Sequence, residues 1–208
     1  MNILDIHTHN PLAENAIINL NDTSELSANK YYSIGIHPWL SDTYTQQQLS
    51  HISQIASYPQ VLAIGECGLD AIKGDTLENQ IKLLEFHIKL SETVKKPLIL
   101  HIVKCYPQII ALKKEYKPTQ SWIIHGFRGK PQLAEELIRH GFYLSFGCKY
   151  NQESVLITPI DRLLAETDDC PCSITQIIKN IAVIKKIPSQ TLGLNILENI
   201  IVLFKSKN

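Results

Sequence analysis

At 208 residues the chain can bury most of its apolar surface without disulfides or oligomerisation, and 44% hydrophobic with 19% charged residues excludes a disordered chain or a coiled coil. Twenty Lys and Arg are balanced by twenty Asp and Glu, so there is no basic footprint of the kind that grips long duplex DNA by counterion release. Any contact with nucleic acid must be local, and with Arg128, Arg139 and Arg162 as the only arginines, bidentate phosphate recognition is confined to few positions. The five cysteines (Cys67, Cys105, Cys148, Cys170 and Cys172) are odd in number and scattered, which suits free thiols in a reducing compartment. Cys170 and Cys172 are too close-set for an ordinary structural zinc pair. The opening Met1-Asn2-Ile3-Leu4-Asp5 has no basic segment followed by a long apolar one, and no later run is apolar for a membrane's width. A cytoplasmic protein without membrane contact is the expectation, as a monomer or an oligomer of unknown order.

In chain order, short β-rich runs come first at Ile3–His7, Ala16–Leu20 and Tyr31–Ile36. Then runs and amphipathic stretches alternate: a helix over Gln46–Ser57, a strand at Val61–Gly65, a helix over Glu78–Val94, a strand at Pro97–His101 and a helix over Gln108–Tyr116. Ser121–His125, Gln132–His140, Phe142–Phe146 and Leu163–Thr167 continue as strand, helix, strand and strand, before a helical tail over Ile174–Phe204. Eight strands in this alternation predict an α/β protein, a distorted (β/α)8 TIM barrel. Such barrels typically need roughly 250 residues, so one unit must be short. The shortage falls between His9 and Tyr31, where no amphipathic helix is legible, so the first crossover is expected to be a loop. No linker or repeat interrupts the chain, which predicts one domain over residues 1–208.

Five of the eight histidines, His7, His9, His37, His101 and His125, end a predicted strand or lie just past one. In a β/α barrel those C-terminal ends converge on one mouth, so residues far apart in sequence become neighbours. His51, His87 and His140 fall in helical patterns and read as surface or packing residues. The period-two alternation of a strand puts His7 and His9 on one side, where both can reach one metal, although a polar pair at a rim has the same spacing. Asp5 shares their face and either orients an imidazole or is a hydrogen-bonded buried acid.

Glu66 follows the apolar run Val61-Leu62-Ala63-Ile64-Gly65, and burying it alone would be costly. A metal or a positive partner removes that cost. His101, His125 and Asp168 end their runs in the same way, and six residues of His, Glu and Asp type at five strand ends are hard to explain by packing. Nitrogen and oxygen donors without thiolates suit Zn, Mn or Mg, and six are more than one tetrahedral site uses, so two divalent ions are expected. Such a centre activates water near neutral pH. The chain carries no GxSxG elbow, phosphate loop or GxGxxG fingerprint, and Cys67, facing away from Glu66, is a poor candidate nucleophile.

Asp5-Ile6-His7-Thr8-His9, Gly35-Ile36-His37-Pro38-Trp39, Ala63 through Asp70, Pro97 through His101, Ile124-His125-Gly126-Phe127-Arg128-Gly129 and Glu166-Thr167-Asp168 together resemble the TatD family of metal-dependent deoxyribonucleases, in family order over nearly the whole chain. Gln80 and Phe86 match the same pattern. The resemblance implies an amidohydrolase-like barrel with His7, His9 and Asp168 on one metal, His101 and His125 on the other, and Glu66 bridging them. It also implies that Asp168 orients or deprotonates the attacking water and that His37 lines the phosphate subsite.

Three departures bear on the substrate. Val103 stands where the family usually has an arginine, with Lys104 next; the fifth motif is altered to His125-Gly126-Phe127-Arg128-Gly129; and Asp169 with Cys170-Pro171-Cys172 replaces an arginine-bearing segment. Arg128 is therefore the expected phosphate-binding residue and Lys104 a weaker one. The implied activity is cleavage of phosphodiester bonds at DNA ends, DNA or a nucleotide being contacted locally. Two alternatives share the same cluster: an amidohydrolase-like enzyme acting on a small amide, ester or lactone, and a metal-binding module that has lost catalysis.

Overall fold

The structure, a computed structural model, describes residues 2–20 and 26–204. Along them run β1 (Asp5–Thr8), β2 (Ala16–Leu20), β3 (Tyr31–Ile34), α1 (Gln46–Ile55), β4 (Val61–Asp70), α2 (Leu77–Val94), β5 (Leu98–Val103), α3 (Tyr106–Tyr116), β6 (Trp122–Ile124), α4 (Pro131–Arg139), β7 (Phe142–Phe146), α5 (Gln152–Ile157), β8 (Leu163–Ala165), α6 (Ile174–Lys185) and α7 (Ser189–Phe204). The described residues form two compact units, one of residues 2–18 and 123–204, the other of residues 19–20 and 26–122.

In the first unit β1 runs parallel to β2, with Asp5 opposite Ala16 and Thr8 opposite Ile18, and a parallel bridge joins Thr8 to Asp168 just past β8. β8 pairs in parallel with β7, Leu144 facing Leu163 and Phe146 facing Ala165. The last strand of the chain thus meets the first. In the second unit β4 lies between β3 and β5, again in parallel, with Ile34 opposite Ile64 and Gly68 opposite His101. Strands buried on both faces read as unbroken apolar runs, and in β4 every residue except Leu62 is buried.

The helices follow from caps and apolar spacing. Thr45 and Gln48 form a capping box that starts α1, which buries Leu49, Ile52 and Ile55. Thr76 and Ser173 cap α2 and α6 through their side chains.

Several elements differ from expectation. β4 continues to Asp70 instead of stopping at Gly65, because Gly65 and Gly68 let it pass β5 at backbone contact. At φ of +150° and +149°, a Cβ there would lie 2.4 Å from the Ile99 carbonyl oxygen and 2.0 Å from that of His101. The register of β4 on β5 shifts between Ile64 and Cys67, so Glu66 sits within an irregular strand and not past its end. The tail is two helices: α6 stops at Lys186 in a left-handed conformation and Pro188 precedes α7, since a proline disfavours helix in the residue before it. No single described helix is long and apolar enough to cross a membrane; α6 and α7 meet that test only as a pair bent by 107°. α5, six residues long, is too short to show a period. Residues 9–15 of the first crossover hold no helix, as expected; residues 21–25 lie outside the described ones.

His87 is a packing residue, fully buried on α2. The Ile36 amide donates to its Nε2 at 3.0 Å, so its Nδ1 carries the proton, held by the Leu83 carbonyl at 2.8 Å. Burial depresses its pKa from 6.5 to about 4, against the smaller opposing effect of the Leu83 bond. Between those values the unfolded chain binds a proton that the native state refuses, so stability is complete above pH 6.5 and falls as pH drops toward 4. The loss amounts to about 3 kcal/mol. Urea unfolding of the wild type and His87→Gln should converge over that window; a gap between them that is independent of pH would show that His87 titrates normally.

Candidate metal centre

Each unit carries its own cluster of imidazoles and carboxylates. In the first, β1 presents His7 fully buried, with the more exposed His9 one residue past the strand, their rings edge to face at 5.0 Å. Two backbone bonds hold Asp168 against them: its amide donates to the His7 carbonyl at 2.9 Å, and the His9 amide donates to the Asp168 carbonyl at 3.3 Å. Asp168 adopts φ of 52°, a left-handed conformation that aspartate tolerates better than most residues. Its Oδ1 lies 3.8 Å from His7 Nε2 and 3.6 Å from His9 Nε2.

His125 follows β6, its ring 4.4 Å from that of His7. Its Nδ1 donates to Glu166 Oε1 at 3.2 Å, and the Gly126 amide donates to the same oxygen at 2.6 Å. Glu166 is fully buried. Burial alone would raise its carboxyl, but His125, His7 and Ser145 outweigh that and hold it below the usual range. An ionised Glu166 fixes the proton on Nδ1 of His125 and leaves Nε2 as a ligand.

In the second unit Glu66 is buried within β4, whose other residues up to Leu69 are apolar or glycine. His101 Nδ1 stands 2.9 Å and His37 Nε2 3.2 Å from its Oε1. The Glu66 amide donates to Asn19 Oδ1 at 2.9 Å, which pins the irregular part of β4. His37 Nδ1 accepts from the Trp39 amide at 3.2 Å, which leaves Nε2 to face Glu66. Asp70 closes the group: its Oδ2 accepts from Trp39 Nε1 at 2.7 Å and lies 3.4 Å from His101 Nε2. Burial pushes the Asp70 carboxyl up, and the bonds from Trp39, Ile72, His101 and Lys73 carry it net below its ordinary value.

The donor chemistry fits divalent ions. His7, His125 and Asp168 place ligand atoms within 4.8 Å of one another, as do His9, Asp168 and Asp169, and in the other unit His37, Glu66 and His101. The 3.6 and 3.8 Å separations around Asp168 are close to the spacing of two ligands on one tetrahedral ion, about 3.4 Å from the bond lengths. All donors are N or O, the set preferred by Zn, Mn and Mg.

Among the residues expected from sequence, His7, His9, His125 and Asp168 therefore come together in one unit and Glu66 and His101 in the other. His37, assigned by the resemblance to a phosphate subsite, stands against Glu66 as a potential ligand. Asp5 proves to be the hydrogen-bonded buried acid: it accepts from the His7 amide at 3.3 Å and from the Thr167 amide and hydroxyl at 3.0 and 2.6 Å, and burial raises its pKa to about 7. Burial, with the charge of Glu66, also pushes the Cys67 thiol far up, which removes it as a nucleophile. Arg128 is exposed and lines a cavity of about 180 Å³ with Lys149, Asp168, Asp169 and Cys170. A larger cavity of about 380 Å³ beside α6 and α7 offers Lys179 but no metal-binding side chain. Lys104 is exposed just past β5, in a left-handed conformation.

Glu166, Asp70, Asn19 and Lys149 are the residues that sequence reasoning passed over. The first three had a signal: a polar group inside or at the end of an apolar strand must find a partner. Glu166→Gln should keep the fold and weaken metal binding by roughly ten- to a hundredfold, the usual cost of losing a carboxylate behind a ligating histidine. Competition with a chelating dye measures it, and an unchanged affinity would reduce Glu166 to a buried structural acid.

The alternation of strands and helices, the meeting of β8 with β1 in the first unit and an imidazole–carboxylate cluster in each unit define a β/α protein with donor sets suited to divalent ions. The chain belongs to the TatD-related DNase family, whose model matches residues 7–205. It is 34% identical over 150 residues to the uncharacterized metal-dependent hydrolase YabD of Bacillus subtilis, covering 68% of this chain and 58% of that protein. It is 31% identical over 144 residues to the 3'-5' ssDNA/RNA exonuclease TatD of Cronobacter turicensis, covering 64% and 55%. The chain thus matches little more than half the length of these relatives. Among solved structures, the TatD homologue YjjV of Escherichia coli K12 superposes with a TM-score of 0.82 at 22% identity, over 92% of this chain and 86% of that one. A TatD family hydrolase of Entamoeba histolytica gives 0.77 at 14% identity, over 98% of each chain. These likenesses carry the fold, the distorted (β/α)8 barrel expected from sequence.

Proposed function

We propose that this chain is a metal-dependent phosphodiesterase that trims DNA ends. The observation that carries the reading is the grouping of His7, His125 and Asp168 at one point, with a buried carboxylate, Glu166, behind His125. A site built with that support is held in a ligand-ready state before any ion arrives. His7, His9, His125 and Asp168 would hold one divalent ion, and Glu66, His101 and His37 a second, as Mg, Mn or Zn. Bound there, such ions supply Lewis acidity and lower the pKa of a water toward neutrality.

The residues of the chain divide the remaining work. Asp168, partly exposed beside the cavity, accepts a hydrogen bond or the proton from the attacking water. Glu166 keeps His125 in one tautomer. Arg128 and Lys149, which line the cavity with Asp168, offset the charge of the phosphate, the role that Val103 cannot play. The exonuclease name of the Cronobacter relative supports a nucleic-acid substrate.

Hydrolysis of single-stranded oligonucleotides, set against a panel of small amides, esters and lactones with Mg, Mn or Zn, tests the reading. Turnover of a lactone or amide without turnover of oligonucleotide would overturn it. Arg128→Ala should slow oligonucleotide hydrolysis by roughly ten- to a hundredfold, the scale of one charge-assisted contact of about 1.5 to 3 kcal/mol, at unchanged metal content. Wild-type rates in that variant would show that other groups hold the phosphate.

A further inference from the structure

We propose that Trp39 is a stacking platform for a nucleobase of the substrate, with Lys73 as its cationic partner; this deepens the phosphodiesterase reading and rests on it. Trp39 is 39% exposed, an unusual position for an indole, yet it is held in place. Its Nε1–H donates to Asp70 Oδ2 at 2.7 Å, and Asp70 is itself buried and immobilised. Asp70 Oδ1 accepts from the Ile72 and Lys73 amides at 2.8 and 3.1 Å, while the buried Gln80 accepts from the Asp70 amide at 2.7 Å and donates to the carbonyls of Asp70 and Asp75 at 3.0 and 2.9 Å. Two buried polar side chains thus fix the edge of an exposed ring and the loop 71–75 beside it. On a ring this exposed water could satisfy the indole N–H, so the bond to buried Asp70 serves to hold the ring in one orientation.

The ring also stands beside the chemistry. Its centroid is 4.4 Å from that of His37 and 5.8 Å from that of His101, the two imidazoles that face Glu66. Lys73 Nζ lies 3.3 Å from the ring centroid, which marks a face open enough to admit a ligand. Lys73 is exposed on a flexible stem, so an arriving base can take the ammonium's place on the ring, and the displaced ammonium can turn to a phosphate of the same strand. A planar base with a neighbouring phosphate is the ligand these two side chains recognise, and stacking makes the choice of base permissive.

The test compares two phosphorothioate-linked tetramers that resist hydrolysis, one of thymidine and one abasic, each carrying a terminal dye whose fluorescence anisotropy is followed as metal-loaded protein is added. This readout does not depend on the tryptophan that the variants remove. The thymidine tetramer should bind roughly tenfold tighter than the abasic one. Trp39→Leu should erase that preference, Trp39→Phe should keep part of it, and Lys73→Ala should weaken both tetramers. Because the preference is a ratio within one variant, a change in stability does not imitate it. Equal affinity for the two tetramers, or a preference that survives Trp39→Leu, overturns the platform. If the wild type cleaves ordinary oligonucleotides while showing no preference, the platform falls and the phosphodiesterase reading stands; if it neither binds nor cleaves them, both fall.

Discussion

Glu66→Gln is expected to lower hydrolysis by roughly a thousandfold, about 4 kcal/mol of barrier, while the protein stays folded. The amide keeps the shape of the side chain and one acceptor oxygen, so the contacts of Glu66 with His37 and His101 can be made in part. What disappears is the negative charge, the feature an ion requires of this position. A buried carboxylate is costly to hold without an ion, so its loss should leave the melting temperature of ion-free protein unchanged or higher. Activity and stability would therefore move independently. Unchanged turnover would make Glu66 a structural acid.

Gly68→Ala should have the largest effect on stability, a loss of about 3 kcal/mol or more, read as a lower urea midpoint or as failure to accumulate folded protein. The new Cβ would lie 2.0 Å from the His101 carbonyl oxygen and 2.8 Å from its carbon, both backbone atoms that cannot rotate away. At φ of +149° an L side chain is strained even where there is space. Relief requires β4 and β5 to part, and β5 carries His101, so any folded remnant should also bind metal less tightly. A variant of normal stability would show that the two strands are further apart than 2.0 Å implies.

Much of this was legible in the sequence because parallel strands buried on both faces are unbroken apolar runs, and an ionisable residue that ends or interrupts one stands out. Ala16–Leu20 and Phe142–Phe146 were readable to the residue, and His7, His9, Glu66, His101, His125 and Asp168 were visible as polar groups at apolar strand ends. The extension of β4 past Gly65 was not, since glycines commonly read as strand ends and their use as close-contact points depends on a partner strand over thirty residues away. Likewise, Ile174–Phe204 read as one helical tail because its apolar period hid the break at Pro188. The support behind the ligands was the hardest to see. Glu166, Asp70 and Asn19 act through a bond to a residue distant in sequence, and only their misfit in apolar surroundings hints at it.

Elemental analysis of protein equilibrated with Mn or Zn and freed of excess ion tests the central claim most directly. Two divalent ions per chain are predicted, falling to about one in His7→Ala/Asp168→Ala, which dismantles the cluster of the first unit. A wild-type protein that retains no ion, or a double variant that retains both, would contradict the assignment of these clusters as the metal centre.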